Sequence, residues 1–242
     1  MQEKRDLLTI GKAAGFLGVS VDTLRRWDKS GKLKAIKSPR GHRYYSIEQL
    51  DRFTEDLFSM ANVWAESQQA PDLSVDYHCE TRDVFKARLD KMAILLDSES
   101  DTKDIAPLVT AVAGEIGDNS FDHNFGNWPD ISGIFFGYDT SKRVVVLADR
   151  GLGIRATLSR VRPDIDSDIM ALRVAFTERV SGRAPEQRGN GLKFVSNVAT
   201  DNPLGVYLHS GTALTEIAKD KGALKINLAN KNIRGVLAKI IY

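Results

Sequence analysis

One cysteine, Cys79, in a chain of 242 residues leaves no partner for an intramolecular disulfide, as suits a reducing compartment. His78 stands beside it, but no second cysteine and no suitably spaced histidine completes a metal-ligand pattern. A packed or idle thiol is the expectation. No apolar run approaches the ~20 residues of a membrane span. The opening Met-Gln-Glu-Lys-Arg-Asp lacks the apolar stretch of a signal peptide. No internal repeat or low-complexity tract is visible. The expectation is a soluble, cytoplasmic protein without membrane association. Net charge is also small, at +2, but unevenly spread. Residues 1–45 hold eleven Lys/Arg against four Asp/Glu, so the rest of the chain is acidic. A basic N-terminal part points to a polyanionic partner.

That basic part has punctuated helices. Thr9 can cap a helix from Ile10 to Leu17, and Gly18-Val19-Ser20 turns into a second from Val21 to Lys29, stopped by Gly31. Leu24 and Trp27 can face inward while Asp22, Thr23, Arg25, Arg26 and Lys29 take the polar side. Leu33-Lys34-Ala35-Ile36, a basic loop over 37–43 and Tyr44-Tyr45-Ser46 read as a small hairpin. Ser46 then caps a third helix carrying Ile47, Leu50, Phe53 and Leu57 on one face. The stretches LTIGKAAGFLGVSVDTLRRWDKSGKL and PRGHRYYS resemble the MerR and excisionase type of winged helix-turn-helix. The resemblance implies double-stranded DNA as partner. Thr23, Arg25 and Arg26 would lie near the major groove, with Arg40, His42, Arg43 and Tyr44 on the wing, in a homodimer on a repeated half-site.

Glu66-Ser67-Gln68-Gln69-Ala70-Pro71-Asp72 is polar and Pro-bearing, the best linker. The expected division is 1–65 for the DNA-binding module, 66–79 for the linker and 80–242 for a second domain. A fragment from Asp72 is then expected to stand alone. Phe85, Leu89, Met92 and Leu96 give the stretch 80–96 a helical stripe, either as the first helix of the second domain or as a dimerisation helix.

The second domain carries chemistry in four places. A helical pattern from about Asp104 places Glu115 and Asn119 one turn apart on one face, with Asp122 three residues on. Such a set suits water activation beside a divalent cation: Glu accepts a proton, and Asn offers Mg²⁺ a neutral oxygen. The apolar run Val144–Ala148 reads as a buried strand leading into Asp149-Arg150-Gly151-Leu152-Gly153. There a carboxylate can accept a hydrogen bond and bare backbone admits a flat ring. Arg188-Gly189-Asn190-Gly191-Leu192 opens a helix, whose N–H groups and dipole favour phosphate. Gly211-Thr212 sits just before a stretch that reads as a strand.

In this order the four stretches resemble the boxes of the GHKL ATP-binding domain of gyrase, Hsp90, histidine kinases and MutL. That resemblance runs from about Asp104 onward. It implies an α/β sandwich, a mixed sheet with helices on one face, binding ATP with Mg²⁺ under a lid between 154 and 187. Glu115 would be the general base and Asn119 the Mg²⁺ ligand. Asp149 would accept from the adenine amino group, Gly151 and Gly153 would admit the ring, and Asp122 would also contact the cofactor. Arg188 to Leu192 would cradle phosphate, and Thr212 would bond Asp149 or a bridging water. The whole chain reads as a bacterial transcriptional regulator switched by ATP, with a protein partner also open. A serine/threonine kinase like the anti-sigma-factor kinases and a non-hydrolysing ATP sensor stay open as rivals.

Overall fold

The hydroxyl of Thr9, at the end of β1 (Leu7–Thr9), accepts from the Lys12 N–H at 3.5 Å and caps α1 (Ile10–Phe16). Ser20 does the same for α2 (Val21–Ser30), accepting from the Thr23 N–H at 3.1 Å, and Gly31 ends α2 at φ 79°. β2 (Ile36–Lys37) and β3 (Arg43–Ser46) form the wing hairpin, and β1 pairs with the other edge of β3. Ala13, Ala14, Leu17, Leu24, Trp27, Leu33, Tyr45 and Leu50 fill the space beneath. This computed structural model describes residues 7–179 apart from 18, 32 and 40, and residues 191–242 apart from 220 and 221.

Ser46 caps α3 (Ile47–Glu66), which runs well past the wing. After β4 (His78–Cys79), α4 (Arg82–Ser98) and α5 (Ala106–Asn124) pack as neighbours, with Pro107 in the first turn of α5. β5 (Ile134–Asp139) and β6 (Val144–Asp149) follow as a hairpin, then α6 (Gly153–Leu158), α7 (Asp168–Thr177) and α8 (Gly191–Asp201). β7 (Gly205–Ile217) and β8 (Lys225–Ile241) complete a sheet of order β4-β5-β6-β8-β7. Every described pairing in it is antiparallel, not mixed as expected. The β5–β6 and β7–β8 neighbours are joined directly, without the helical crossover that a parallel pair needs. Among the described residues no helix is long and apolar enough to cross a membrane.

Side chains of β6 alternate between two cores. Val145 and Leu147 join Phe85, Met92, Val112, Ile116 and Ile240 under the helical layer of α4, α5, α7 and α8. Val146 and Ala148 point the other way and meet Leu57, Ala61, Trp64 and Ala65 of α3. The sheet is therefore covered on both faces, a correction to the expected helices on one face. It also explains why Val144–Ala148 is apolar throughout rather than alternating. Residues 66–79 are held as well. Tyr77 is buried, with ring centroids 5.9 Å from Trp27 and 5.2 Å from Phe135, in near-parallel stacking on the latter.

Because α3 covers Phe135, Val146 and Leu237, a fragment starting at Asp72 loses that cover. Each large apolar side chain so uncovered costs roughly 1.5–3 kcal/mol. The fragment is expected to aggregate, and a fragment from Ile47 to stay soluble, by light scattering. A monodisperse Asp72 fragment would show that α3 is dispensable to the sheet.

Candidate functional sites

The second unit brings distant segments together around Asp149, at the C-terminal end of β6. This carboxylate is 1% exposed. Its Oδ2 accepts from the Ser120 hydroxyl on α5 at 2.7 Å, and its Oδ1 from the Gly151 N–H at 2.8 Å. Burial pushes its pKa up to about 6, against the opposing hydrogen bonds from Ser120, Gly151 and the Val236 N–H. Gly235, at φ 72°, must be glycine, since a Cβ there would run into the Asp149 carbonyl and carboxylate.

The loop after Asp149 is pinned from two directions. Asn124, one turn beyond Ser120, accepts from the Leu152 N–H at 2.8 Å and donates to the Ser120 carbonyl at 2.7 Å. A Cβ on Gly151 would strike that carboxamide, so the bare backbone of Gly151 admits Asn124. Ser210 of β7 accepts from the Ile154 N–H at 3.1 Å and donates to the Gly235 carbonyl at 2.9 Å. Gly153 starts α6 at φ 77°.

Glu115 and Asn119 share a face of α5, and α8 begins against them. A Cβ on Gly191 would stand 2.7 Å from Glu115 Oε2 and 3.0 Å from Asn119 Nδ2. Neither side chain has a hydrogen-bond partner among the described residues. Leu192 packs on the core beside them. Arg188, Gly189 and Asn190, with most of the expected lid tip, lie outside the described residues. Two of the expected site residues are engaged by neighbouring elements. Asp122 is engaged by the Arg82 guanidinium of α4. Thr212 gives its N–H and hydroxyl to Asp168 Oδ2, at 2.8 and 2.7 Å, instead of to Asp149. Gly211 and Thr212 lie within β7, at an irregularity in the register where Gly211 takes φ 61°, which carries Thr212 to the first turn of α7. No cluster of three or more His, Cys, Asp or Glu side chains that could hold a metal occurs among the described residues. Cys79 is buried and burial pushes its thiol up to about 11, so it is a packed thiol.

The N-terminal unit departs from expectation in its details. Arg25 is exposed and pairs with Asp22 at 2.7 Å. Thr23 is wholly buried, its hydroxyl donating to Asp76 at 2.8 Å, so it does not face a groove in this arrangement. Arg26 is 58% exposed in its side chain but also holds Asp76. On the wing, His42 is exposed and Tyr44 half-buried, while Arg40 lies outside the described residues. The Arg43 Nε donates to Asp28 Oδ2 at 2.7 Å, and Lys37 joins at 3.1 Å. Arg43 thus fastens the wing to α2.

That pairing holds the Asp28 carboxyl down to about 2, with Arg43 the largest cause, from an ordinary 3.8. A depressed carboxyl contributes stability above its unfolded value and loses it as pH falls through the folded one. Acid titration of the full chain, followed by NMR through the backbone signals of residues 20–46, should therefore show the wing loosening between about pH 4 and 2. In Arg43→Ala that step should move up toward 4, and an unmoved step would contradict the pairing.

Sequence reading passed over Asn124, Gly235, Asp168, Asp76 and Asp28. Only Asn124 carries a local signal, four residues after Ser120 on α5. The others matter through contacts with segments far along the chain.

Residues 9–45 match the model of the MerR family regulatory protein. This unit is a MerR-type helix-turn-helix, a DNA-binding domain. The chain is also 36% identical over 61 residues to the type II methyltransferase M.Eco47II of Escherichia coli. The match covers 25% of this chain and 15% of that protein.

Proposed function

From a MerR-type DNA-binding domain at residues 9–45, we propose that the chain is a transcriptional regulator whose residues 80–242 form a GHKL-type domain binding ATP with Mg²⁺. ATP then changes the shape or assembly of a homodimer on DNA, in the cytoplasm. The observation that carries this reading is the closeness of Gly191, at the start of α8, to Glu115 and Asn119, whose side chains have no hydrogen-bond partner among the described residues. A helix N-terminus facing a carboxylate and a carboxamide oxygen suits a phosphate chain with a hard cation. The buried, hydrogen-bonded Asp149 beside it suits an amino-bearing ring.

In this reading Asp149, held by Ser120 and the Gly151 N–H, accepts from the adenine amino group. Asn119 supplies an oxygen to Mg²⁺, and Glu115 orients water toward the terminal phosphate. The α8 N-terminus neutralises phosphate charge, and Arg188, Gly189 and Asn190, next to it in sequence, would join in cradling phosphate. Mg²⁺ when bound would offset negative charge on the phosphate oxygens. The methyltransferase likeness reaches too little of that protein to carry a methyl-transfer reading.

Incubating the full chain with ATP labelled in the γ-phosphate tests the reading. Free labelled phosphate supports hydrolysis, label on protein means a kinase, and bound but intact ATP means a sensor. Absence of ATP binding would overturn it. Asp149→Asn should bind ATP more weakly without gaining GTP.

A further inference from the structure

Asp76 stands in the stretch between α3 and β4, and its carboxylate is 18% exposed. It accepts from the Thr23 hydroxyl at 2.8 Å and from the Arg26 guanidinium at 3.1 and 3.2 Å, through Oδ1 and Oδ2. Ser74 Oγ donates to it at 3.0 Å. Its backbone is fixed from the other side, where Arg88 of α4 donates to the carbonyls of Val75 and, at 2.8 Å, of Asp76. The next residue, Tyr77, is stacked between Trp27 of α2 and Phe135 of β5. A carboxylate anchored to the second unit therefore grips two side chains of the helix that is to enter DNA.

A carboxylate holding a guanidinium through both oxygens presents the same oxygen pair that a phosphate offers. We propose that Asp76 is an intramolecular latch. It occupies on α2 the Thr23 and Arg26 groups that the DNA backbone would otherwise take, so the arrangement described is a low-affinity state. The latch joins α2 to the segment that α4 and β5 position, so a rearrangement of the second unit can open it. Opening frees Arg26 for a phosphate and removes a carboxylate that would repel one. The proposal rests on the DNA-binding role of residues 9–45.

The test is binding of the full chain to a short duplex of random sequence, followed by fluorescence anisotropy over a salt series. Asp76→Asn and Asp76→Ser are compared with wild type. Asp72→Asn, which removes an equal charge from an exposed position on the same segment, is the control. Release of one charge-assisted pair should tighten binding about tenfold at low salt. A newly engaged Arg26 should steepen the salt slope by about 0.9. Asp72→Asn should do neither. Wild-type affinity and slope in both Asp76 variants would overturn the latch, as would an equal gain in Asp72→Asn. If no form binds duplex, the DNA-binding reading itself falls.

Discussion

Replacing Glu115 by Ala should lower ATP hydrolysis by roughly 10²–10⁴-fold, the usual contribution of a positioned base. Nucleotide binding should be nearly unchanged. Glu115 sits on a helix locked by its neighbours: Ile116 is core, and Ser120 and Asn124 hold Asp149 and its loop. Truncating one side chain on the open face should leave those contacts intact. In steady-state kinetics the loss should appear in kcat with KM little changed. Wild-type turnover in Glu115→Ala would remove Glu115 from the chemistry.

The second large effect belongs to Arg150, inside the Asp149–Gly153 loop and wholly buried. Its Nε and Nη2 donate to Asp130 at 2.9 and 2.6 Å, Nη2 also to the Gln68 carbonyl at 3.3 Å, and Nη1 to the Trp64 carbonyl. Burial would raise the Asp130 carboxyl, but Arg150, the Ile131 N–H and Arg234 hold it below its ordinary value. The guanidinium thus ties the loop after Asp149 to the C-terminal end of α3. Asp130 reaches solvent, but the guanidinium is wholly buried, and each buried carbonyl it leaves without a donor, at Trp64 and Gln68, costs roughly 1–3 kcal/mol. Against a domain stability of about 5–15 kcal/mol, that is a large share. Arg150→Ala should therefore show a strongly lowered midpoint in urea unfolding. A change below about 1 kcal/mol would contradict the account of Arg150 as a buried tie.

Arg150 also shows where sequence reading stops. Between Asp149 and Gly151 it looks like any loop arginine, and only the arrival of α3 buries it. The caps at Thr9, Ser20 and Ser46 and the stop at Gly31 were legible because each acts on its own helix within a few residues. The stripe Ile47, Leu50, Phe53, Leu57 announced an amphipathic helix but not the surface it covers. That surface is partly β6, about ninety residues on, whose unbroken apolar run required a cover on both faces. That Glu115 and Asn119 share one face of a helix was legible from their spacing alone. Asp122 lies near the same stripe, yet Arg82 of another helix claims it. Thr212 was assigned by its neighbour Gly211, while its partner is set by the irregular register of β7. Asp76 carried no signal, because its importance comes from Thr23 and Arg26, some fifty positions earlier.

The central claim is that nucleotide in the second unit changes what the first unit does on DNA. A ligand shifts only an equilibrium whose states it binds unequally. The most direct measurement uses Glu115→Ala, which should hold ATP without consuming it, and follows duplex affinity and particle mass with and without Mg-ATP across a salt series. The account predicts a difference in affinity, salt slope or mass between the two conditions. Identical values in both, with ATP binding shown in the same samples, would contradict it and leave two independent modules on one chain.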